Sequence, residues 1–400
     1  MSVLTPPPTR SSDVPHRDDF YRWQDRVQEH FSTLKPHHQD TLARYSFGMV
    51  LAKCCGLTSV VAQLASLFGR ALSSIRQALR ELYLEASAQS GCARSELDHR
   101  DCFCPLLLWV AAGQPNKRLA LALDPTHLGE RFTVLCASVL YEGTGLPVAW
   151  EVRHADQDGS WNDVWADLLG RLKLALGEGW EVLVLTDRGL ESAELFNAIT
   201  KLGWHPLMRV KRSGTFRPEG WHHSHKVGKF AASEGRRWAG TGVAYPSGPK
   251  LRCTLLASWE EGREEAWLIL TDLPPAGADV AWYAWRMWCE QGYRAIKRGQ
   301  WGWHKTQMED PARVARLWAV IALAMLWAVD VGKEAEAASL PEVPAGRSRP
   351  RKLSLLKQGL MALATALMRG EPMPMPSHRL AHQDWPKREW EADPLSEDQM

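Results

Sequence analysis

The sequence predicts a mixed α/β protein in which a helical segment precedes a β-sheet. Helical patterns run from about residue 19 to about residue 110. From Lys117 onwards, short apolar or alternating runs are separated by turn residues, which is typical of successive strands. Residues 216–272 also alternate in a strand-like way. We therefore expect an N-terminal all-α domain, a mixed sheet with flanking helices, and a second β-rich segment.

Length and composition are those of an ordinary soluble chain. Four hundred residues, 45% of them hydrophobic, suffice for two or three domains with a sizeable core. The first 18 residues are rich in Pro and Ser, so we expect them to be disordered. They do not resemble a signal peptide, and the longest apolar run, residues 317–329, is too short to span a bilayer. These features predict a cytoplasmic protein.

Several classes of site are disfavoured by the residues present. The eight cysteines include no Cys-x-x-Cys pair, which predicts reduced thiols and no zinc site. His222, His223 and His225 have no Cys or acid at ligand spacing, so we interpret them as a DNA-facing or solvated loop. Walker, Rossmann, Gly-x-Ser-x-Gly and His-Glu-x-x-His patterns are absent, which excludes the usual nucleotide-hydrolysing, dehydrogenase, esterase and zinc-protease functions.

The small net charge of +2 conceals strongly charged blocks. Residues 201–229 carry seven Lys or Arg against one Glu, and residues 346–369 carry six against none. The last thirty residues lean acidic. Local basic patches of this kind favour nucleic acid as the partner.

Residues 61–79, VAQLASLFGRALSSIRQAL, have the spacing of a helix-turn-helix. The small Ala65 permits close helix crossing, Gly69 turns the chain, and Ile75 anchors the second helix. The residues of that helix placed to meet DNA are Ser73, Ser74, Arg76 and Arg80. A plain helical hairpin with a glycine turn is the alternative interpretation.

The middle of the chain predicts the order β-β-β-α-β-α-β. Its segments are residues 118–126, 131–143, 146–155, 161–176, 181–189, 191–203 and 205–214. Asp124 stands at the end of the first strand and Asp187 at the end of the fourth, where a parallel pairing would bring the two carboxylates side by side. Taken singly, each Asp could equally be a helix cap or a turn former.

The stretch YAWRMWCEQGYRAIKRGQWGWHK, residues 283–305, surrounds Glu290 with positive charge. In an α-helix the side chains of five residues share one face within an arc of roughly 80°: Tyr283, Arg286, Glu290, Arg294 and Lys297. A solvated basic face with one ion-pairing Glu is the simpler interpretation. Three carboxylates converging from two strands and a helix can instead hold two Mg²⁺ ions about 4 Å apart for phosphodiester chemistry.

The spacing Tyr283-x2-Arg286-x3-Glu290-x6-Lys297 resembles the Tyr-Arg-Glu-Lys signature of bacterial insertion-sequence transposases. These belong to the cut-and-paste DDE group, which uses a ribonuclease-H-like catalytic core. Further segments are similar to those of the family: LDPTHLGERF (123–132), Asp187-Arg188, WLILTDLP (267–274) and TQMEDPARVARL (306–317). The resemblance covers about residues 40–335.

The resemblance implies the roles of individual residues. Asp124, Asp187 and Glu290 would be the catalytic, metal-binding triad for two Mg²⁺ ions, with Mn²⁺ as a substitute. Tyr283, Arg286, Arg294 and Lys297 would position the phosphates of the transposon end, with Arg188, Arg209 and Lys211 as further DNA contacts. Trp267 stands where the family's insertion supplies an aromatic residue that holds a flipped base, although a core role is the ordinary alternative for a tryptophan.

The resemblance also implies the domain organisation. The expected segments are a disordered tail (1–18), a helical DNA-binding domain (19–112), a ribonuclease-H-like core in two parts (113–215 and 273–335), a β-rich insertion (216–272), and a C-terminal basic helix with an acidic tail (336–400). The basic helix at 351–367 is interpreted as a dimer or DNA element.

The implied function is that of a Mg²⁺-dependent DNA transposase and endonuclease. It would pair two double-stranded transposon ends as a homodimer, nick one strand, form a DNA hairpin, and join the ends to target DNA. It would act in the bacterial cytoplasm, in association with the nucleoid. Two alternatives remain: a helix-turn-helix regulator whose core has lost catalysis, and a nuclease of the same core fold that cuts without joining.

Overall fold

The structure is a computed structural model in which residues 16–89, 95–157, 159–339, 352–377, 385–386 and 395–397 are described. The chain divides into two compact units. A helical unit contains residues 1–97, 300–306 and 316–377, and a sheet unit contains residues 98–299, 307–315 and 378–400. Of the tail that we predicted to be disordered, residues 1–15 lie outside the described residues. Its last two residues belong to the first helix.

Within the described residues, helices and strands follow the predicted order. The α-helices are α1 Arg17–His30, α2 Pro36–Ala52, α3 Leu57–Phe68, α4 Leu72–Arg80, α5 Phe103–Ala111, α6 Asn162–Leu176, α7 Ala193–Lys201, α8 Met287–Lys297, α9 Pro311–Ser339 and α10 Leu355–Arg369. The strands are β1 Arg118–Leu128, β2 Phe132–Tyr141, β3 Thr144–His154, β4 Glu181–Thr186, β5 His205–Arg209, β6 Thr215–Pro218, β7 His225–Lys226, β8 Arg237–Ala244, β9 Leu251–Ser258 and β10 Trp267–Thr271. The chain is therefore a mixed α/β protein, as predicted.

The helical unit is held together by large aromatic side chains. Trp23 of α1 stacks on Trp327 of α9 with ring centroids 4.3 Å apart, and the Trp23 indole N–H donates to the Ser46 hydroxyl at 2.9 Å. Gly332 of α9 and Gly359 of α10 bring the two helix backbones into direct contact, because a Cβ at either position would overlap the opposite backbone. The predicted C-terminal basic helix thus exists as α10, and its apolar face is buried in this unit.

The predicted glycine turn between α3 and α4 is present. Gly69 follows the last residue of α3 with φ 59°, a left-handed conformation that glycine adopts without a Cβ penalty. Ala65 and Ile75 are buried, as the sequence predicts. On α4, Arg80 is exposed and Arg76 is half-buried, with its guanidinium 3.5 Å from the Thr58 hydroxyl. The polar face of α4 is therefore partly exposed, with Ser73, Ser74 and Arg80 at the surface.

The sheet unit contains one ten-stranded sheet with the order β3-β2-β1-β4-β5-β10-β9-β8-β6-β7. Strand β4 runs parallel to β1 and to β5, and the other pairs are antiparallel. Because β10 pairs with β5, the β-rich segment extends the central sheet. Helix α5, which we assigned to the N-terminal helical domain, belongs to this unit and packs against α6 and β3.

Two predicted strands are shorter than expected. The strand predicted at 181–189 ends at Thr186, and a 3₁₀ helix Arg188–Leu190 follows. The strand predicted at 205–214 ends at Arg209, and β6 begins at Thr215. In both cases the predicted strand included polar and glycine residues that follow the apolar run, at 187–189 and at 211–214, and these residues lie outside the strands.

The apolar run at 317–329 is part of helix α9, which extends beyond the run at both ends. Residues Pro311–Ala338 of α9 are long and apolar enough to cross a membrane, so our argument from length was wrong. The most apolar window of this helix is 100% buried inside the structure. Burial of this kind is typical of the core helix of a soluble protein, and the helix is assigned to the core on that ground.

An ion pair between β5 and the end of β10 predicts a pH-dependent contribution to stability. The His205 imidazole lies 3.0 Å from the Asp272 carboxylate, and this hydrogen bond raises the pKa of His205 despite partial burial. A raised folded-state pKa means that the stabilisation is complete below the ordinary pKa of 6.5 and is lost as the pH rises through the folded-state value. We expect His205→Gln to lower the free energy of unfolding by about 0.5 to 1 kcal/mol at pH 6 and by less at pH 9. Urea unfolding at the two pH values measures this, and an equal loss at both would contradict it.

Candidate active site

The strand register places Asp124 and Asp187 next to each other. Strands β1 and β4 are parallel, and Leu123 opposite Thr186 is the last aligned pair. The next residue on each strand is an aspartate, so both carboxylates leave the same carboxyl edge of the sheet. The sequence prediction that these two residues meet is consistent with this register.

Asp124 is held by its backbone as well as by its side chain. The Tyr293 hydroxyl of α8 donates to the Asp124 carbonyl oxygen at 3.0 Å, and Asp124 remains paired with Cys136 of β2. Its side chain is 13% exposed. Asp187 lies one residue beyond the end of β4, and its side chain is 39% exposed. The two carboxylates therefore occupy different environments, one buried and one half-exposed.

The segment before α8 differs from the single α-helix that we expected. Val280–Arg286 is a 3₁₀ helix, which begins where the Asp279 carboxylate accepts the Ala281 N–H at 2.8 Å. Only from Met287 is the chain α-helical. The tighter 3₁₀ turn changes the angular positions of Tyr283 and Arg286, so the calculated 80° arc does not apply to them. Arg286 nevertheless reaches both aspartates, and the Tyr283 hydroxyl reaches Asp187.

Helix α8 is seated directly on strand β3 through two glycines. A Cβ at Gly292 would lie 2.5 Å from the Gly145 carbonyl oxygen, and a Cβ at Gly145 would lie 3.0 Å from the Cys289 Cα. The helix backbone can approach the strand this closely only because neither glycine carries a side chain. This contact sets the distance of Glu290 from the sheet.

Arg286 connects the three carboxylates. Its Nη1 lies 2.9 Å from Asp124 Oδ1, and its Nη2 lies 3.3 Å from Glu290 Oε1 and 4.0 Å from Asp187 Oδ1. The Tyr283 hydroxyl adds a hydrogen bond to the Thr186 carbonyl oxygen at 3.3 Å and a longer contact to Asp187 Oδ1 at 3.5 Å. The predicted triad is thus gathered around one buried guanidinium.

Burial dominates the electrostatics of this cluster. It raises the pKa of the Asp124 carboxyl to about 6, although the Arg286 guanidinium acts in the opposite direction. Burial also disfavours the charged form of Lys297 and so lowers the pKa of that side chain, although the nearby Asp124 carboxylate acts in the opposite direction. Carboxylates packed this closely need a cation, because Asp187 and Glu290 add to the cost of ionising Asp124. At neutral pH that requirement is met by Arg286.

The donor set has the chemistry of a magnesium site. Mg²⁺ prefers carboxylate oxygens, and the three acids share one cationic partner. In the part of the chain that is described, no group of three or more His, Cys, Asp or Glu side chains stands at metal-binding distances. Asp124, Asp187 and Glu290 are donors of the type that Mg²⁺ prefers and all lie near Arg286, but they do not stand at metal-binding distances from one another here. The guanidinium of Arg286 is their counter-ion in this structure.

Three other predicted DNA-contacting residues of the sheet unit, Arg188, Arg209 and Trp267, lie near one another on β4, β5 and β10 or at their ends. Arg188 and Arg209 both bind the Glu265 carboxylate, at 3.0 and 2.5 Å. Trp267 packs edge-to-face against Tyr283 with centroids 5.3 Å apart, and the Arg263 guanidinium lies 3.6 Å over its ring. Lys211 after β5 and Arg294 on α8 are exposed. Arg76 and Arg80 belong to the helical unit.

The His-rich loop binds an anionic group through its backbone. The N–H groups of His222 and His223 donate to the two carboxylate oxygens of Glu397, at 3.0 and 2.7 Å. These imidazoles are not the groups that make the contact. The loop therefore presents adjacent donors to an anion, which is compatible with the DNA-facing interpretation.

Four features of the site escaped the sequence analysis. They are the Tyr293 hydroxyl bond, the Gly145–Gly292 contact, the pairing of two arginines with Glu265, and the position of Arg286 among the acids. A glycine inside a helix, as in EQGYR at 290–294, is a signal of close packing and could have indicated the second feature. No local signal indicates the partner of Glu265, which is 77 residues from Arg188.

Comparisons with known proteins agree with this chemistry. A family model described as "Transposase DDE domain" matches residues 124–327, just over half of the chain. Among solved structures, a cryo-EM structure of piggyBac transposase synaptic complex with hairpin DNA is similar over 96% of this chain and 85% of its own, with 11% identity and a TM-score of 0.36. A likeness of that size carries no argument about this chain. No curated protein matches it.

Proposed function

Because the chain belongs to the transposase DDE-domain family, we propose that it cuts and joins transposon ends by two-metal phosphodiester chemistry. The observation that carries this proposal is the convergence of Asp124, Asp187 and Glu290 at the carboxyl edge of the sheet. The strand order β3-β2-β1-β4-β5, with β4 parallel to both neighbours, supports a ribonuclease-H-like core. The Tyr-Arg-Glu-Lys spacing supports an insertion-sequence origin in bacteria.

Asp124, Asp187 and Glu290 would hold two Mg²⁺ ions. When bound, the ions supply a nucleophile at neutral pH and stabilise the charge on the leaving oxygen. With metal bound, the three carboxylates would no longer need the Arg286 guanidinium as their counter-ion, and its N–H groups would be available to a phosphate. The Tyr283 hydroxyl, already 3.5 Å from Asp187 Oδ1, orients that carboxylate.

The surface formed by Arg188, Arg209 and Trp267 would bind the transposon end. Glu265 supports this assignment, because a carboxylate bound by two arginines occupies the place that a phosphate oxygen would take. Lys211 and Arg294 would add outer phosphate contacts. DNA binding on this surface requires Glu265 to release both arginines.

The proposed function also includes recognition of the terminal repeat and a dimeric assembly. Helices α3 and α4 would bind the terminal repeat through Ser73, Ser74, Arg76 and Arg80. Of the DNA-binding domain predicted at 19–112, the part up to residue 97 would serve this role, because α5 belongs to the sheet unit. Two ends must be cut and joined together, so we propose a homodimer that acts on nucleoid DNA in the cytoplasm. Helix α10 is retained as a candidate dimer or DNA element.

The function is tested with a supercoiled plasmid that carries the DNA flanking the coding region on both sides. Wild-type protein with Mg²⁺ should nick at the ends and then join them to a second plasmid, and EDTA should abolish both activities. Binding without cutting would support the regulator alternative. Cutting without joining would support the nuclease alternative.

Lys297→Ala should lower the salt dependence of end binding. Each lost phosphate contact reduces the slope of log K against log salt by about one, and Arg286→Ala should do the same while also impairing cleavage. Lys201→Ala is the matched control, because Lys201 is an exposed residue at the end of α7, remote from the carboxyl edge of the sheet. Equal slopes for Lys297→Ala and wild type in fluorescence anisotropy titrations would indicate a solvated face.

Trp267→Ala should separate nicking from hairpin formation. A hairpin requires one base to leave the stack, at a cost of a few kcal/mol, and stacking on an indole recovers about 1 to 3 kcal/mol. The first nick should therefore proceed normally, while conversion of nicked DNA to hairpin slows by about tenfold to a hundredfold. The measurement is a time course on end-labelled, pre-nicked DNA, resolved on a denaturing gel.

The variant Trp267→Phe keeps an aromatic ring and serves as the control. We expect it to retain most of the hairpin yield. A normal yield from Trp267→Ala would assign Trp267 to packing against Tyr283. A wild-type protein that nicks without ever forming a hairpin would remove the hairpin from the mechanism.

A further inference from the structure

A pocket of about 440 Å³ lies beside the two aspartates and has no role in the contacts proposed so far. Asp124 and Asp187 form one side of it, and Trp161, His127 and Gln157 contribute to the rest. Its lining comes from β1, β2, the segment between β3 and α6, and the 3₁₀ helix that follows β4. In the sheet order β2 and β3 lie on the opposite side of the β1–β4 pair from β5 and β10, which carry Arg209 and Trp267. The pocket therefore flanks the carboxylates on the side away from the proposed transposon end.

The chemistry of the lining favours a flat, uncharged group. Among the described residues that line the pocket, Asp124 and Asp187 are the acids and there is no Lys or Arg. A phosphate would meet only negative charge there. The indole of Trp161 offers an aromatic surface, and stacking on such a surface is available to every nucleobase.

The Trp161 ring is supported from outside the pocket. The Arg153 guanidinium lies over it, 5.0 Å from the centroid, and Arg153 does not line the pocket. The arginine thus fixes the plane of the indole and leaves its pocket side to a ligand. His127 is held in a similar way, because its Nδ1 lies 3.0 Å from the Thr133 hydroxyl.

The pocket also has room for a base. A Cβ placed on Gly159 or on Gly189 would meet no atom within 4 Å, so the backbone at both positions borders open space. Gln157 and His127 provide polar groups that can contact the edge of a base without demanding one particular base. Sequence-tolerant binding is what a site for changing DNA partners requires.

We propose that this pocket binds the base of the nucleotide whose 5′-phosphate reacts at the carboxylate cluster. The inference rests on the proposed function. In end cleavage, a water oxygen bonds to that phosphorus while the bond to the 3′-oxygen of the transposon end breaks, and the 3′-oxygen leaves with a proton. In joining, the same 3′-oxygen attacks a target phosphorus and gives up its proton, and the target's own 3′-oxygen leaves. The pocket thus holds the first flanking base during cleavage and a target base during joining.

The first test measures binding of the base without cleavage. The full-length protein is mixed, in EDTA, with end duplexes that carry 2-aminopurine as the first flanking base. Stacking on Trp161 should change the fluorescence with wild type and with Trp161→Phe, but not with Trp161→Ala. Trp180→Ala is the matched control, because Trp180 is also half-buried but precedes β4, at the opposite end of the strand from Asp187.

The second test measures the reaction. Trp161→Ala should slow both nicking and joining of pre-cut ends by about tenfold to a hundredfold, whereas Trp161→Phe and Trp180→Ala should stay within about threefold of wild type. An abasic site at the first flanking position should cause the same loss in wild type and no further loss in Trp161→Ala. Thermal unfolding of each variant confirms that it is folded.

The outcomes distinguish this inference from the function on which it rests. An active wild type whose rates and 2-aminopurine signal are unaffected by Trp161→Ala would overturn the base pocket and leave the transposase function intact. Additive losses from the abasic site and Trp161→Ala would overturn it as well. A wild type that neither nicks nor joins would remove the proposed function, while a fluorescence change that depends on Trp161 would still support the pocket.

Discussion

Asp124→Asn, Asp187→Asn and Glu290→Gln should each reduce strand cleavage by roughly a thousandfold or more while DNA binding stays close to that of wild type. Each substitution removes one ionised oxygen ligand from the proposed two-metal site, whose charge stabilisation is worth several kcal/mol. Affinity for DNA comes mainly from phosphate contacts that these variants retain. Cleavage of labelled ends and anisotropy titrations measure the two properties separately.

The control for this prediction is Asp167→Asn. Asp167 is an exposed carboxylate on α6 that pairs with Arg171 at 2.8 Å, so neutralising it changes the net charge by the same amount without touching the site. It should cleave like wild type. Cleavage within tenfold of wild type by any of the three site variants would exclude that residue from the triad.

Gly292→Ala should destabilise the sheet unit and impair cleavage together. The added methyl group would stand 2.5 Å from the Gly145 carbonyl oxygen, so α8 must move away from β3. Overpacking of this kind costs about 1 to 3 kcal/mol. Because α8 carries Glu290 and Tyr293, the same movement displaces the acid from Arg286 and Asp124, and we expect cleavage to fall by about tenfold or more.

Gly170→Ala is the matched control substitution. It should raise the free energy of unfolding, whereas Gly292→Ala should lower it. Gly170 lies inside α6, and a Cβ there would meet no atom within 4 Å. Alanine should therefore stabilise the protein by about 0.4 to 1 kcal/mol, since it restricts the unfolded chain and favours the helix. Urea unfolding of both variants measures the difference, and a neutral Gly292→Ala would contradict the close seating of α8.

Local patterns were sufficient to place the acids on their elements. Asp124 and Asp187 follow short apolar runs whose strand character depends only on neighbouring residues, and the order of elements between them implies a parallel pairing. Glu290 was recognised from its spacing to Tyr283 and Lys297, although only Lys297 shares its α-helix, because Tyr283 lies in the preceding 3₁₀ helix. These inferences required no knowledge of distant contacts.

The ends of strands and helices were predicted less well, because local patterns contain no information about contacts with distant residues. The strand pairing of β4 and β5 ends at Thr186 and Arg209, and the polar and glycine residues that follow were wrongly included in the predicted strands. The 3₁₀ turn before Met287 is likewise set by packing around Tyr283 and Arg286 against the two aspartates, and not by their own propensities.

The partners of the charged side chains depended on the tertiary structure alone. Arg286 reads in the sequence as one more residue of a basic face, yet the fold buries it between Asp124, 162 residues away, and Glu290. Glu265 meets Arg188 and Arg209 only because β10 pairs with β5. Periodicity encodes which face of an element a residue occupies, but burial and charge pairing between distant elements arise only when the sheet is assembled, and they decide what each arginine binds.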